Sequence, residues 1–235
     1  MQNIYLVRHG QSLANVSKTI HATTPDHAIP LSRLGELQAT MAGKALRNLI
    51  DLDAGTPLRI WTSPYMRARQ TAARLREELT KKFPNLDLLD HINLREQEFG
   101  LFDGIPDEEL ATRYPVEHAH YALQEKFEGR FWARMPMGES RCDVATRVHH
   151  AFGTFHRDAE RHGIKNIIVS CHGVTLRAFV MQWLHLPYEW FEAEPNPGNC
   201  DIYHIRKENR AGSGYIYRTP QNIATADDLS EIGQE

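Results

Sequence analysis

Two histidines in this chain follow short apolar runs: Ile4-Tyr5-Leu6-Val7 leads into Arg8-His9-Gly10, and Ile167-Ile168-Val169-Ser170-Cys171 leads into His172-Gly173. β-Branched runs bounded by polar residues mark strands buried on both faces, and open α/β sheets bind ligands just past the carboxyl ends of such strands. His9 and His172 are therefore expected at one site despite their separation in sequence. Around His9, the segment Arg8-His9-Gly10-Gln11-Ser12 with Asn15 supplies a cation, a nucleophile, a permissive turn and an amide. That set is suited to holding a phosphate and attacking it.

A third segment, Trp61-Thr62-Ser63-Pro64-Tyr65-Met66-Arg67, reads as a strand over Leu58-Trp61 followed by a helix that Ser63-Pro64 opens. Arg67 then lies in the first turns, near the sheet edge that carries His9. A guanidinium there can fork onto phosphate oxygens in charged hydrogen bonds of roughly 1.5 to 3 kcal/mol each. By itself an arginine on a helix is an ordinary solvated charge, and its weight comes from the His-Gly strands. The remaining reactive side chains read as structural. Cys142, Cys171 and Cys200 show no C-x-x-C spacing, and Cys171 sits in an apolar run where a thiol packs as a small hydrophobe. His118-Ala119-His120 lacks carboxylate or cysteine partners and reads as surface, so no metal site is expected.

Behind these residues the pattern alternates strand and helix. Leu34, Leu37, Met41, Ala45 and Leu49 fall at helical spacing after Ser32; Tyr65 to Phe83 is helical up to Pro84; Leu86 to Leu94 is strand-like; Asp143 to His162 and Val174 to Leu184 are helical; Cys200 to Arg206 and Tyr215 to Arg218 close the sheet. The polar segment His21 to His27 reads as a loop able to fold over the site. With 235 residues, one domain is expected over 1–220, followed by a flexible acidic tail over 221–235. A net charge of -3 gives no reason to expect nucleic acid, and no apolar stretch approaches a membrane span. The N-terminus enters a strand pattern at once, without a leader-like segment, so the expected location is cytoplasmic.

Four motifs, in order, resemble the histidine phosphatase superfamily, which includes cofactor-dependent phosphoglycerate mutases and many phosphatases. They are Leu6-Val7-Arg8-His9-Gly10 with Asn15, Thr62-Ser63 with Arg67-Ala68 and Thr71, Glu96 followed by Gly100, and His172-Gly173. Leu94-Arg95-Glu96-Gln97-Glu98-Phe99-Gly100 and Met137-Gly138-Glu139-Ser140 look more like the broad-specificity phosphatase branch than the mutases. Where mutases carry a proline- and arginine-rich lid, this chain has Phe127, Phe131, Trp132, Arg134, Met135 and Met137. These could be core or a substrate wall.

The resemblance implies a three-layer phosphoglycerate mutase-like α/β fold, its central, mostly parallel sheet flanked by helices on both faces. It implies catalytic roles for His9, Glu96, His172, Arg8 and Arg67, with Arg8, Asn15, Arg67, His172 and Gly173 cradling the phosphate. The expected reaction is hydrolysis of a small phosphate ester through a phosphohistidine on His9, without metal or cofactor. His172 would be protonated against the phosphoryl oxygens, and Glu96 would protonate the leaving alcohol. Glu98 is a rival acid, since a strand would point it to the same face as Glu96. A phosphoglycerate mutase, or a non-catalytic regulatory protein on the same scaffold, are the alternatives.

Overall fold

The apolar runs form the strands they predict. In the computed structural model, which describes residues 2–207 and 210–220, a six-stranded sheet has the order β3-β2-β4-β1-β5-β6. Strands β1 (Asn3–Arg8), β2 (Leu58–Thr62), β3 (Asp87–Asp90) and β4 (Asn166–Cys171) are parallel, while β5 (Ile202–Arg206) and β6 (Gly214–Tyr217) run antiparallel at one edge. The helices are α1 (Leu13–Val16), α2 (Arg33–Leu49), α3 (Met66–Leu79), α4 (Asp107–Arg113), α5 (Pro115–Glu128), α6 (Arg141–His162), α7 (Gly173–Leu184) and α8 (Tyr188–Ala193). The expected acidic tail, 221–235, lies outside the described residues.

Strand periodicity builds the three layers. Ile4, Leu6, Ile167 and Val169 pack against Val148 and Phe155 of α6 and Phe179 of α7, whereas Tyr5, Val7, Ile60 and Ile168 pack against Leu46 of α2 and Leu75 of α3. Each such buried Leu, Ile or Phe contributes roughly 1.5 to 3 kcal/mol. Helix α2 begins where expected, with Ser32 Oγ accepting from Gly35 N at 3.1 Å. A Cβ on Gly35 would lie 2.0 Å from the Gln11 carbonyl oxygen, so only glycine lets α2 press on the turn after His9. No described helix is long and apolar enough to cross a membrane.

The strand expected over Leu86–Leu94 is a difference. β3 stops at Asp90, a 3₁₀ turn covers Ile92–Leu94, and irregular chain follows. The carbonyls there have found another partner. Arg147, on the buried face of α6, donates to Asn93 O at 2.8 Å, Arg95 O at 2.9 Å and Glu96 O at 2.9 Å. Its other donors grip both oxygens of Glu139, at 2.8 and 2.9 Å. Glu139 also accepts from Arg95 at 2.8 Å and from Glu98 N at 3.1 Å. One guanidinium thus replaces a strand neighbour and fixes the segment that carries Glu96.

Arg147→Ala would strand the buried Glu139 carboxylate and release three carbonyls, so it should lower unfolding stability by about 3 kcal/mol or more. Urea titration measures this. A loss below about 1 kcal/mol would show that the segment holds its shape without Arg147.

Candidate active site

Strand order assembles the site. β1 and β4 are neighbours with Arg8 opposite Cys171, so the chain leaves both strands side by side, and His9 N donates to Cys171 O at 2.9 Å. The rings of His9 and His172 then lie 5.1 Å apart. β2 flanks β4 on its other side and delivers Ser63 and the start of α3, which carries Arg67.

His9 is 4% exposed, and its Nδ1 lies 2.7 Å from Gly10 O. A carbonyl can only accept, so Nδ1 holds the hydrogen and Nε2 keeps its lone pair. Burial, then the charges of Arg67 and Arg8, push the imidazole well below its ordinary pKa. His9 is therefore neutral and presents Nε2 as a base or nucleophile.

His172 is fully buried at the start of α7, with Nε2 2.7 Å from Ser63 Oγ. Its Nδ1 is buried without a hydrogen-bond partner among the described residues. Burial and Arg67 lead the groups that hold it well below the usual imidazole range in the free protein. The protonated form expected from the sequence would thus need a bound phosphate dianion, which works in the opposite direction.

The two arginines are kept from full mutual repulsion by acids. Arg67, 5% exposed, donates from Nη1 to Asp26 O at 2.6 Å and Asp26 Oδ1 at 2.9 Å, and from Nη2 to Asp26 Oδ2 at 3.1 Å. A guanidinium has five N–H groups, so two remain. Arg8 donates to Pro197 O, and its buried Nε has no partner among the described residues. Burial lowers the Arg8 pKa, opposed first by the nearby charge of Glu96. Asn15 Oδ1 accepts from Ser12 N at 3.0 Å, Ser12 Oγ at 3.1 Å and Asn199 Nδ2 at 3.3 Å, which leaves the Asn15 NH₂ as a donor.

Glu96 sits at the N-terminus of α7, where Oε1 accepts from Gln97 N at 3.0 Å and Thr175 N at 3.3 Å, and Oε2 from Val174 N at 3.4 Å. The Thr175 hydroxyl lies 2.6 Å from Arg95 O and 3.2 Å from Glu96 Oε1. It has one hydrogen and can serve only one of them as donor. Glu98, the rival, is exposed and paired with Arg95 at 2.9 Å. In irregular chain the two acids do not share a face.

Arg8, His9, Asn15, Arg67 and Glu96 line one cavity of about 520 Å³. His172 and Gly173 do not appear in its wall. Asn196 stands in front of Gly173, with its Oδ1 2.6 Å from where a Cβ would project, and lines the cavity instead. His118, expected at the surface, also lines it, one of a stripe of α5 residues, His118, Tyr121, Ala122 and Glu125, at helical spacing. The helical spacing of these residues was visible in the sequence, but α5 has no fully buried residue and its pattern did not mark which face meets a cavity. The aromatic and methionine cluster divides: Phe131 is core, Met135 faces the cavity, and Phe127 and Met137 are exposed. Cys171 is buried, and burial pushes its thiol pKa up, which leaves it inert. His21, Asp26 and Asp103 have ligand atoms within 4.8 Å of one another, but Asp26 is engaged by Arg67, whose charge opposes a cation there.

The family model of the histidine phosphatase superfamily (branch 1) matches residues 4–213. A phosphoglycerate mutase-like protein of Arabidopsis thaliana is 33% identical over 237 residues, covering 95% of this chain and 71% of that protein. The broad-range acid phosphatase of Saccharomyces cerevisiae is 23% identical over 305 residues, covering 92% of this chain and 88% of its own. Among solved structures, a mycobacterial glucosyl-3-phosphoglycerate phosphatase with VO3 aligns at a TM-score of 0.66 and 25% identity, over 87% of this chain and 92% of that one. With its motifs gathered at one sheet edge and its length matched almost throughout, the chain is a phosphatase belonging to branch 1 of the histidine phosphatase superfamily.

Proposed function

We propose that the enzyme hydrolyses small phosphate monoesters through a phosphohistidine on His9, without a metal ion. The observation that carries this reading is the bond from His9 Nδ1 to Gly10 O, which puts the hydrogen on Nδ1 of an imidazole that burial and two arginines keep neutral, so that Nε2 is free to attack. Arg8, Arg67 and the Asn15 amide supply donors for the phosphoryl oxygens. His172, outside the cavity wall but with its ring 5.1 Å from that of His9 and its buried Nδ1 unpaired among the described residues, joins them in this reading once the phosphate is seated on His9. Phosphoryl transfer asks the protein chiefly for in-line placement and positive charge, and these groups meet both demands. An incoming dianion takes over the Arg67 donors that Asp26 holds.

In the first step, with Glu96 having taken up a proton as the phosphate dianion enters, His9 Nε2 bonds to phosphorus as the ester P–O bond breaks, and the departing alkoxide takes that proton from Glu96. In the second, water attacks the phosphohistidine, gives its proton to Glu96, and releases phosphate and His9. Thr175 suits both states of that acid. It donates to Arg95 O while Glu96 holds its proton for the leaving oxygen, and can turn its own hydrogen to the carboxylate once that proton has gone.

Glu96→Gln keeps the shape but removes the proton, so turnover of an alkyl phosphate should fall by roughly 10²- to 10⁴-fold. Nitrophenyl phosphate, whose leaving group departs unprotonated, should lose less and show a burst of nitrophenol. Glu98→Gln should stay within a few-fold of the parent on both esters. The opposite pattern would exchange the two assignments.

Prolonged dialysis against chelator should leave the rate unchanged, and restoration of a lost rate by one divalent ion would refute the metal-free reading. The depressed His9 pKa also fixes a sign for pH. The nucleophile is the neutral form, and a pKa below the ordinary value of about 6.5 keeps it neutral as pH falls through that value. Corrected for substrate ionisation, kcat/KM should not drop between pH 7 and 6. An acid limb centred near 6.5 would mean that His9 titrates as an exposed imidazole does.

A further inference from the structure

Beyond the phosphate cradle, the cavity continues between the 100–107 segment and α5, and its outer wall has a definite chemistry. Phe102 and Tyr121 form an aromatic surface with their rings 5.8 Å apart. Asp103, Asp107 and Glu125 face the same space, against a single arginine, Arg130, which lies 3.7 Å from Glu125. Asp103 is half-buried beside His21 at 3.3 Å, and burial together with the neighbouring Asp26 raises its pKa. Within the cradle, Glu96 and Asp26 already offset Arg8 and Arg67. Among the described residues, the one arginine of the outer wall has an acid beside it, and the other basic side chains there are the imidazoles of His21 and His118.

A second phosphate or a carboxylate on the substrate would meet three acids there and no free arginine or lysine. Hydroxyl or ammonium hydrogens would find carboxylate acceptors against an aromatic face. We infer that the outer pocket selects phosphomonoesters whose alcohol carries hydrogen-bond donors and no second anionic group, with Asp103, Asp107 and Glu125 as the specificity-determining residues. This rests on the hydrolase reading and narrows its substrate class. Selection here works by repulsion of the wrong ester as much as by attraction of the right one.

Glycerol 3-phosphate and 3-phosphoglycerate test it closely, since they differ at one end by a hydroxymethyl group against a carboxylate. The parent enzyme should favour glycerol 3-phosphate by about tenfold or more in kcat/KM, chiefly through KM, and the preference should shrink as salt is raised. Phosphoethanolamine provides the ammonium arm: whether it or glycerol 3-phosphate turns over faster tells a cationic from a hydroxyl-bearing alcohol. The double variant Asp107→Asn, Glu125→Gln, which keeps side-chain shape, should lower the glycerol 3-phosphate to 3-phosphoglycerate ratio by about fivefold or more, with Glu98→Gln leaving it unchanged. A parent enzyme that prefers 3-phosphoglycerate, or a ratio indifferent to both salt and the double variant, would overturn the inference while the hydrolase reading stands. Failure of the parent to hydrolyse any ester, nitrophenyl phosphate included, would remove both.

Discussion

Two guanidinium groups buried at one sheet edge repel each other and any proton placed on the two imidazoles beside them, and much of the site's construction answers that repulsion. Both imidazoles are driven toward the neutral form by burial and by the arginines. Asp26 takes three of the Arg67 donors, and Glu96 places its charge near Arg8. The free site therefore holds a reserve of positive potential that is only partly compensated from within. In the proposed mechanism a phosphate dianion competes with the Asp26 carboxylate and brings more charge, and a water-shielded setting makes each contact stronger than in solvent.

The same constraint explains why the acid is held so firmly. In the proposed mechanism Glu96 must stay close enough to the cradle to reach the leaving oxygen without collapsing onto Arg8. The start of α7 holds its carboxylate through the Val174 and Thr175 amides, while Arg147 holds its backbone from α6. Two helices on one face of the sheet thus fix a side chain that no strand carries. The cost is a buried Arg147–Glu139 pair, tolerable because every donor of the guanidinium is used.

Local pattern made the framework legible. The apolar runs around Leu6 and Val169 read as buried strands, and chain exit from adjacent strands was enough to place His9 beside His172. Arg67 followed from the strand-to-helix turn at Ser63. What the sequence did not show depends on contacts between distant segments. The carbonyls of 93–96 look free to join a sheet until Arg147, over 50 residues on, is found bonding them. Nothing local to Asp26 announces that it will grip Arg67, although the loop it belongs to read as able to fold over the site. The α5 stripe of His118, Tyr121 and Glu125 was present as a spacing, but a helix without fully buried residues gives no sign of which face meets a cavity.

In the proposed mechanism everything follows from transfer of the phosphoryl group to His9 Nε2. Parent enzyme mixed for milliseconds with ³²P-labelled ester, quenched under alkaline conditions and digested, should carry the label on the peptide containing His9, stable in base and lost in acid. The label should be absent from His9→Ala. A parent enzyme that turns over substrate yet yields no label at His9 in the pre-steady state, together with a Glu96→Gln variant that turns over nitrophenyl phosphate and also yields none, would contradict the covalent mechanism and point to direct attack by water.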